Sequence, residues 1–424
     1  NDLQGEMYLP DKNTVEAREI KGLLAGVHIT VDARLWSETA NQDSTTPDLK
    51  KKRTDRLKFI SKILEELEQW QWPIDTPPNI KLYIEANTDK PETARLDFII
   101  RAPEITRNGS TLYDVEIDGD YNNHIITLDK ISLRDSAGKI DSKASYHPAT
   151  KTAKFEAQST LHLQMLCRQL FGISVMNQLT FSTPPTLSCT GTVRLSSGSP
   201  PETMITGQIS VSDFSFLGSR FEKLETDFSS HNRDVFLTRL HATHSKGELK
   251  GRILLKDESI QYEADSTLPA SSYTPFLNES GIGKALENAL FHDDSSIHIK
   301  ARGTMNRHRL TQWEADGYAK INNFSYKGTS LNSLSGYYSL SALRSDFTDI
   351  KADFNYDDYA LKKAHEGPSS SSVSASSIYL NRDEATIKLE NISGTAWPAP
   401  IVRLFVPSVA DHIEKYRFHR PPNL

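Results

Sequence analysis

Apolar and polar residues alternate along much of this chain. Ile80, Leu82, Ile84 and Ala86 are interleaved with Lys81, Tyr83 and Glu85, and Leu96, Phe98 and Ile100 with Asp97, Ile99 and Arg101. Val115 and Ile117 lie between Asp114, Glu116 and Asp118; Ile140, Ala144 and Tyr146 oppose Lys139, Asp141 and Lys143; Ala153, Phe155 and Ala157 oppose Lys154, Glu156 and Gln158. A strand turns successive side chains to opposite faces, so a period of two predicts strands with one apolar and one wet face. With Ile126, Leu128, Ile131 and Leu133, this stretch reads as about six strands. Turn signals at Asn108-Gly109, Asn122-Asn123 and Ala137-Gly138 separate them, which predicts an antiparallel meander.

The pattern then repeats. With Gly109, Gly218 and Gly328 as position zero, apolar residues recur at plus three (Leu112, Phe221, Leu331), plus six (Val115, Leu224, Leu334), plus nineteen (Leu128, Leu237, Phe347) and plus twenty-two (Ile131, Leu240, Ile350). The openings stand 109 and 110 residues apart. Double prolines at Pro77-Pro78, Pro184-Pro185 and Pro421-Pro422 mark where units begin or would begin. Such a register predicts similar modules stacked in an array, burying their core against neighbours.

Helical spacing appears between the β stretches. Leu57, Ile60, Leu64 and Leu67 form one stripe behind a capping Thr54, and Leu163, Leu166, Cys167 and Leu170 form another. Ile282, Leu286 and Leu290 follow the second repeat; Val402, Phe405, Val409 and Ile413 follow the third, with a kink expected at Pro407. The expected organisation is a partial β module over 1–72 ending in an amphipathic helix, then β modules over 73–176, 177–292 and 293–424. A Ser-rich insert at 367–377 reads as a solvated loop. His292-Asp293-Asp294 reads as a polar turn between helix and strand.

Composition narrows the kind of array. Only 37% of the 424 residues are hydrophobic, lean for this length and consistent with a layer that is apolar on one side. The formal net charge of -6 is small and the 49 basic residues are scattered, so nucleic acid is excluded as a partner. Two cysteines, Cys167 and Cys189, cannot build a disulfide framework or a zinc site and read as unpaired core residues. The chain opens at Asn1 without a signal peptide and holds no run of 18 apolar residues; it reads as part of a longer protein, in which a membrane anchor would lie elsewhere.

About 18 to 20 strands, each with three or four apolar side chains on one face, present roughly 4000 Å² of apolar surface, or about 100 kcal/mol of burial. Exposed apolar patches seldom exceed a few hundred Å², so something must cover this one. The predicted fold is mainly β: a long, twisted, curled antiparallel sheet forming an elongated hydrophobic groove, built from repeats each punctuated by a short helix. Its lining is expected from Leu82, Ile84, Leu96, Phe98, Val115, Ile117, Ile126, Leu128, Ile140, Phe155, Val193, Leu195, Val235, Leu237, Ile253, Leu255, Ile260, Ile297, Ile299 and Ile321.

The Gly-x-x-apolar-x-x-apolar openings, the turns Gly138-Lys139-Ile140 and Gly247-Glu248-Leu249, and the closing Ile413, Tyr416, Arg417, Phe418, Pro421, Pro422 resemble the AsmA-like and TamB-like envelope proteins of the bridge-like lipid-transfer superfamily. The resemblance spans essentially the whole chain. It implies a periplasmic segment, anchored through its parent to the inner membrane, that holds phospholipid acyl chains in its groove. It would conduct lipids between inner and outer membranes and support outer-membrane assembly, with outer-membrane proteins as candidate partners. The alternative is a structural envelope protein with a closed β-solenoid core and no lipid cargo. Small inner-face residues, Ala86, Ala144, Ala157, Gly191, Gly251 and Ala301, favour open space over a filled centre.

Enzyme chemistry, metals and cofactors find no support in the pattern. His241 and His244, three apart on a strand, face opposite ways and lack a Glu motif. Neither a Gly-rich phosphate loop nor a Gly-x-Ser-x-Gly elbow occurs. Lys50, Lys51, Lys52 and Arg53 read as a solvated loop that could meet anionic headgroups, and Trp70 and Trp72 as packing on the groove rim.

Overall fold

A computed structural model describes residues 4–38, 70–90, 93–107, 110–161, 179–196, 200–216, 218–256, 258–277, 288–306, 312–341, 344–355, 370–381, 386–416, 418 and 421–423. The chain is mainly β: the described residues form twenty-three strands of one curled, mixed sheet that does not close, with three short helices. Among the described residues no helix is long and apolar enough to cross a membrane. The expected helices at 57–67 and 163–170, Cys167, Lys50–Arg53 and Ile282 and Leu286 lie outside the described residues.

Two compact units divide the chain. Unit 1 comprises Asn1–Met176, Pro184–Ile209 and Ser229–Asn232; unit 2 comprises Asn177–Thr183, Ser210–Phe228 and Arg233–Leu424. The strands of the first part are β1 (Gln4–Asp11), β2 (Thr14–Leu24), β3 (Val27–Trp36), β4 (Asn79–Asn87), β5 (Arg95–Arg107), β6 (Ser110–Asn122), β7 (Ile125–Arg134), β8 (Lys139–His147), β9 (Thr152–Ser159), β10 (Leu179–Phe181), β11 (Thr186–Arg194) and β12 (Glu202–Phe216). In unit 1, β1 through β9 pair in sequence order and β9 continues to β11. All these pairs are antiparallel except β3 with β4, which is parallel. β4 through β9 thus form the expected antiparallel meander, while the parallel β3–β4 pair makes the sheet mixed where an antiparallel one was expected. Parallel neighbours need a long crossover, and residues 37–78, more than a hairpin requires, separate the two strands.

The second part continues with β13 (Ser219–His231), β14 (Asp234–His244), β15 (Gly247–Lys256), β16 (Ser259–Ser266), α1 (Ala270–Leu277), β17 (Ala289–Asn306), β18 (Trp313–Tyr326), β19 (Thr329–Ser341), β20 (Arg344–Asn355), β21 (Ser370–Asn381), β22 (Thr386–Glu390), β23 (Ser393–Gly394), α2 (Pro398–Phe405) and α3 (Pro407–Ile413). In unit 2, β14 through β22 pair antiparallel in order, and β21 also pairs with β23.

Two of the opening glycines fall where the repeat requires them, and Gly109 lies outside the described residues. Gly218 (φ 86°) and Gly328 (φ 78°) sit in the tight turns β12–β13 and β18–β19, a left-handed backbone that glycine adopts without steric cost. Residues at plus nineteen and plus twenty-two are three apart, which plain alternation would send to opposite faces. A register shift lies between them in β7 (Leu128, Ile131) and β14 (Leu237, Leu240), and Asp349 takes φ 51° between Phe347 and Ile350 in β20. The extra residue of a bulge returns both apolar side chains to one face.

Each repeat also ends in a threonine corner that the apolar pattern does not reveal. Thr160 N–H donates to Lys139 O (2.7 Å) while Lys139 N–H donates to Thr160 Oγ1 (3.0 Å). Thr267 and Glu248 make the same two bonds, at 2.8 and 3.0 Å, and Thr395 N–H donates to Ser372 O at 3.2 Å. The signal was present in sequence as Ala157-Gln158-Ser159-Thr160-Leu161 and Ala264-Asp265-Ser266-Thr267-Leu268. Ser159 and Ser266 Oγ each accept from the backbone two residues on.

Several expectations change here. Lys139 and Glu248 follow their opening glycines by 30 residues, whereas Ser372 follows Gly328 by 44. The additional length therefore precedes residue 370, and the Ser-rich run is not a loop: Ser370–Ser377 belongs to β21, opposite Asn355–Thr348. Serine carries no pattern of its own, and pairing decides its conformation. His292-Asp293-Asp294 lies in β17 at a register shift between Phe291 and Ser296 rather than between a helix and a strand, and Leu290 is likewise in β17. That strand runs across the expected 292/293 module boundary. The helix of this repeat that the structure describes, α1, comes earlier, in a segment whose Ser, Thr and Pro275 hide it. At Pro407 the expected kink is a break between α2 and α3, with Val406 out of helical conformation (φ -134°), as proline disfavours the helical region for the residue before it.

Candidate lipid-binding face

Cross-strand registers assemble the apolar residues of unit 1 into continuous ladders. One runs Leu82, Phe98, Gly119, Leu128, Ala144, Phe155, Gly191 across seven strands. Beside it run Ile84, Leu96, Tyr121, Ile126, Tyr146, Ala153, Val193, and Ile80, Ile100, Ile117, Ile131, Ser142, Ala157, Cys189. Parallel pairing carries the face into β3, where Val31 meets Leu82 and Ala33 meets Ile84. In unit 2, Leu237, Ile253, Tyr262, Gly303, Ala315 and Leu340 form one ladder and Leu240, Gly251, Ala264, Ala301, Gly317, Tyr338, Phe347 and Ile378 the next.

Burial tells what covers these ladders. Of the twenty residues expected to line the groove, sixteen are half-buried. Among the described residues all strands belong to the one sheet, so no second sheet supplies a cover. Val115, Val235 and Ile297 are buried, at 6%, 8% and 7% exposure. Leu195 stands past the end of β11 and is exposed; its N–H donates to Lys151 O.

A sealed core exists at one rim of unit 2. Phe324, Leu331, Phe354 and Trp397 are buried together, with Ile321, Leu334, Ala352, Val373, Ile401 and Leu404 packed against them. Here α2 lies on the sheet: Lys327 Nζ donates to Leu404 O (2.9 Å) and Thr329 Oγ1 to Pro400 O (3.2 Å). Ile321 therefore belongs to a covered row, while Ile253 and Ile299 do not. At α1, Tyr273 shares a hydrogen bond of 2.6 Å with Ser266 on the same face. Burial raises the Tyr262, Tyr273 and Tyr338 hydroxyls above their ordinary value.

The opposite face is charged and internally paired. Arg101 bonds Glu116 (2.5 Å) and Asp118 (2.6 Å), and Lys130 also reaches Glu116 (2.6 Å). In unit 2, Arg252 pairs with Glu263 (2.5 Å), and Glu248 takes both Lys250 (2.6 Å) and His241 (2.8 Å). These contacts pull the Glu248 carboxyl below its ordinary value, Lys250 first and His241 second. Each such exposed pair adds little stability. Together they keep this face in water and leave the other as the one that needs a cover.

The other chemistry-bearing side chains among the described residues make local contacts. His241 and His244 face opposite ways: the first meets Glu248, the second packs edge-on against Phe221. Trp70 receives Arg107 over its ring, and Trp72 lies against Gly26. Cys189 is a free, half-buried thiol within the unit 1 ladders, its pKa raised by burial. Among the described residues no three His, Cys, Asp or Glu side chains gather as a metal site would need. Comparison of the chain with protein-family models, with curated proteins and with solved structures finds no match.

Proposed function

We propose that the apolar face binds phospholipid acyl chains and conducts lipid along the stacked strands, as the periplasmic part of an AsmA-like, TamB-like protein that moves lipid between the inner and outer membranes. The observation that carries the reading is the half-buried state of the ladders: apolar, continuous through each unit, and backed by an ion-paired outer face. Acyl chains are the cover that matches such a surface in chemistry, since burial there needs area and no directional bonds. The scaffold alternative supposes a closed core, and its premise is at odds with an open sheet whose central side chains keep access to solvent.

Native mass spectrometry and lipid extraction of the chain purified from a bacterial host with a double membrane test the proposal. Acyl lipids should leave with the protein. With Cys167 replaced by serine, dioleoylphosphatidylethanolamine should slow alkylation of Cys189, which sits among the ladders. Repeated extraction without acyl chains, together with Cys189 alkylation indifferent to lipid, would overturn it.

A further inference from the structure

We infer that Phe155 and Gly191 form a lowered joint in the floor of the face, with the glycine as a positioning residue that holds the aromatic ring flat and out of the path of a bound chain. The inference rests on the lipid reading above. Phe155 is on the last strand of one six-strand repeat and Gly191 on the strand of the next that pairs with it, directly opposite each other. A β-carbon at Gly191 would stand 2.5 Å from the Phe155 ring and 3.2 Å from Ile205. The ring thus lies across the neighbouring strand and fills the space a side chain would have taken. An upright phenylalanine would instead project above the aliphatic side chains around it.

The same joint recurs at the next boundary between repeats. Tyr262, four residues before Ser266 as Phe155 is four before Ser159, faces Gly303, whose β-carbon would meet the Tyr262 hydroxyl at 2.7 Å. Inside repeats, Phe98 lies over Gly119 and Tyr338 over Gly317, with hypothetical contacts at 2.8 and 2.6 Å. At Gly303, Gly119 and Gly317 the atom nearest such a β-carbon is a neighbouring backbone carbonyl oxygen, of Glu314, Thr127 and Lys300 respectively, whereas at Gly191 it is the ring itself. Glycine in a strand interior sacrifices stability, so its placement under the Phe155 ring requires a reason. Ring-on-glycine packing stabilises sheets by itself; the lowered joint adds that the ring must stay down for lipid to pass.

Gly191 permits a clean test. Its φ is not in the left-handed region, and the nearest atoms a β-carbon would meet belong to side chains. Valine suits a strand better than glycine, so Gly191→Val tests the ring rather than the backbone. Transfer of fluorescent phosphatidylethanolamine between phosphatidylcholine vesicles is measured for the unaltered chain, Gly191→Val, Phe155→Ala and the double variant, with circular dichroism and urea unfolding on each. Gly191→Val should stay folded and transfer about tenfold more slowly, equivalent to about 1.4 kcal/mol on the barrier. In the double variant loss of the ring should lift transfer well above that of Gly191→Val, to the rate of Phe155→Ala alone, although packing is then poorer. A merely structural pair predicts the reverse, with the double variant worse than either single one. Should Gly191→Val unfold, Gly191→Ala must show a smaller loss that Phe155→Ala again reverses. A double variant as slow as Gly191→Val, or glycine variants at the unaltered rate, overturns the joint and leaves the lipid reading in place. An unaltered chain that neither carries nor transfers lipid overturns both.

Discussion

Replacing Ile253 by aspartate puts a carboxylate in the middle of the unit 2 face, between Leu237 and Tyr262 on the adjoining strands. Full burial of an isoleucine side chain is worth about 1.5–3 kcal/mol. Ile253 is half-buried, so roughly 1–2 kcal/mol is at stake in lost contact. The new charge adds little more, because an open face lets it keep its water, whereas a sealed charge costs several kcal/mol. Phe354, at 2% exposure beside Trp397, supplies the sealed reference. Phe354→Asp should cost upwards of about 4 kcal/mol. With a urea slope of about 2 kcal/mol/M, Ile253→Asp should lower the unfolding midpoint by about 0.5–1 M and Phe354→Asp by about 2 M or more. Lipid transfer should respond to the open position, because each passing acyl chain must desolvate the carboxylate, slowing transfer by about a hundredfold or more. The control is Lys250→Gln on the outer face, expected within about 0.5 kcal/mol of the unaltered chain. Lys250→Asp would be a poor control, since Lys250 bonds Glu248 and stands opposite Asp265, and the change would gather three carboxylates. If Ile253→Asp unfolds the protein as readily as Phe354→Asp, the face is a sealed core and the conduit reading fails.

The threonine corners should prove equivalent: Thr160→Val and Thr267→Val each remove a hydroxyl that accepts a backbone N–H at 3.0 Å, and each should cost about 1 kcal/mol in urea unfolding. A clear loss at one corner with none at the other would refute a shared structural role. For Tyr262, Tyr273 and Tyr338 the raised pKa means that the folded state prefers the neutral phenol, so their stabilising effect is complete below pH 10.0 and declines as pH rises beyond it. An ultraviolet titration should show a late phenolate component, lost stepwise in the three phenylalanine variants; ionisation of all tyrosines together, ahead of unfolding, would contradict that assignment.

Much of this architecture is legible in the chain. A period of two declares a strand wherever one face is wet, so the strands around Leu82, Val115, Phe155 and Ile253 could be placed from residue types alone. The repeat followed from glycines that only a left-handed turn demands, as at Gly218 and Gly328. Even the spacing of three between Leu237 and Leu240, irregular for a strand, recorded a bulge that the structure displays. Local chemistry suffices for such features because each depends on backbone geometry within a few residues.

Other features depend on what lies across the sheet. The Ser-rich run is a strand because β20 offers it partners, not because serine prefers one. The helix at Ala270–Leu277 forms behind a corner tied to Glu248, despite Pro275 and a poor helical pattern. Parallel pairing of β3 with β4 is a matter of strand direction, which alternation cannot report. Apolar alternation identified Ile297 and Ile253 alike as inward, yet only tertiary packing decides that Ile297 is buried and that Ile253 keeps contact with solvent. Which ring lies flat over which glycine is likewise a matter of register between strands far apart in sequence. The chain thus determines which face is apolar, because that is a property of each residue; how much of the face stays open is decided by the packing of distant segments.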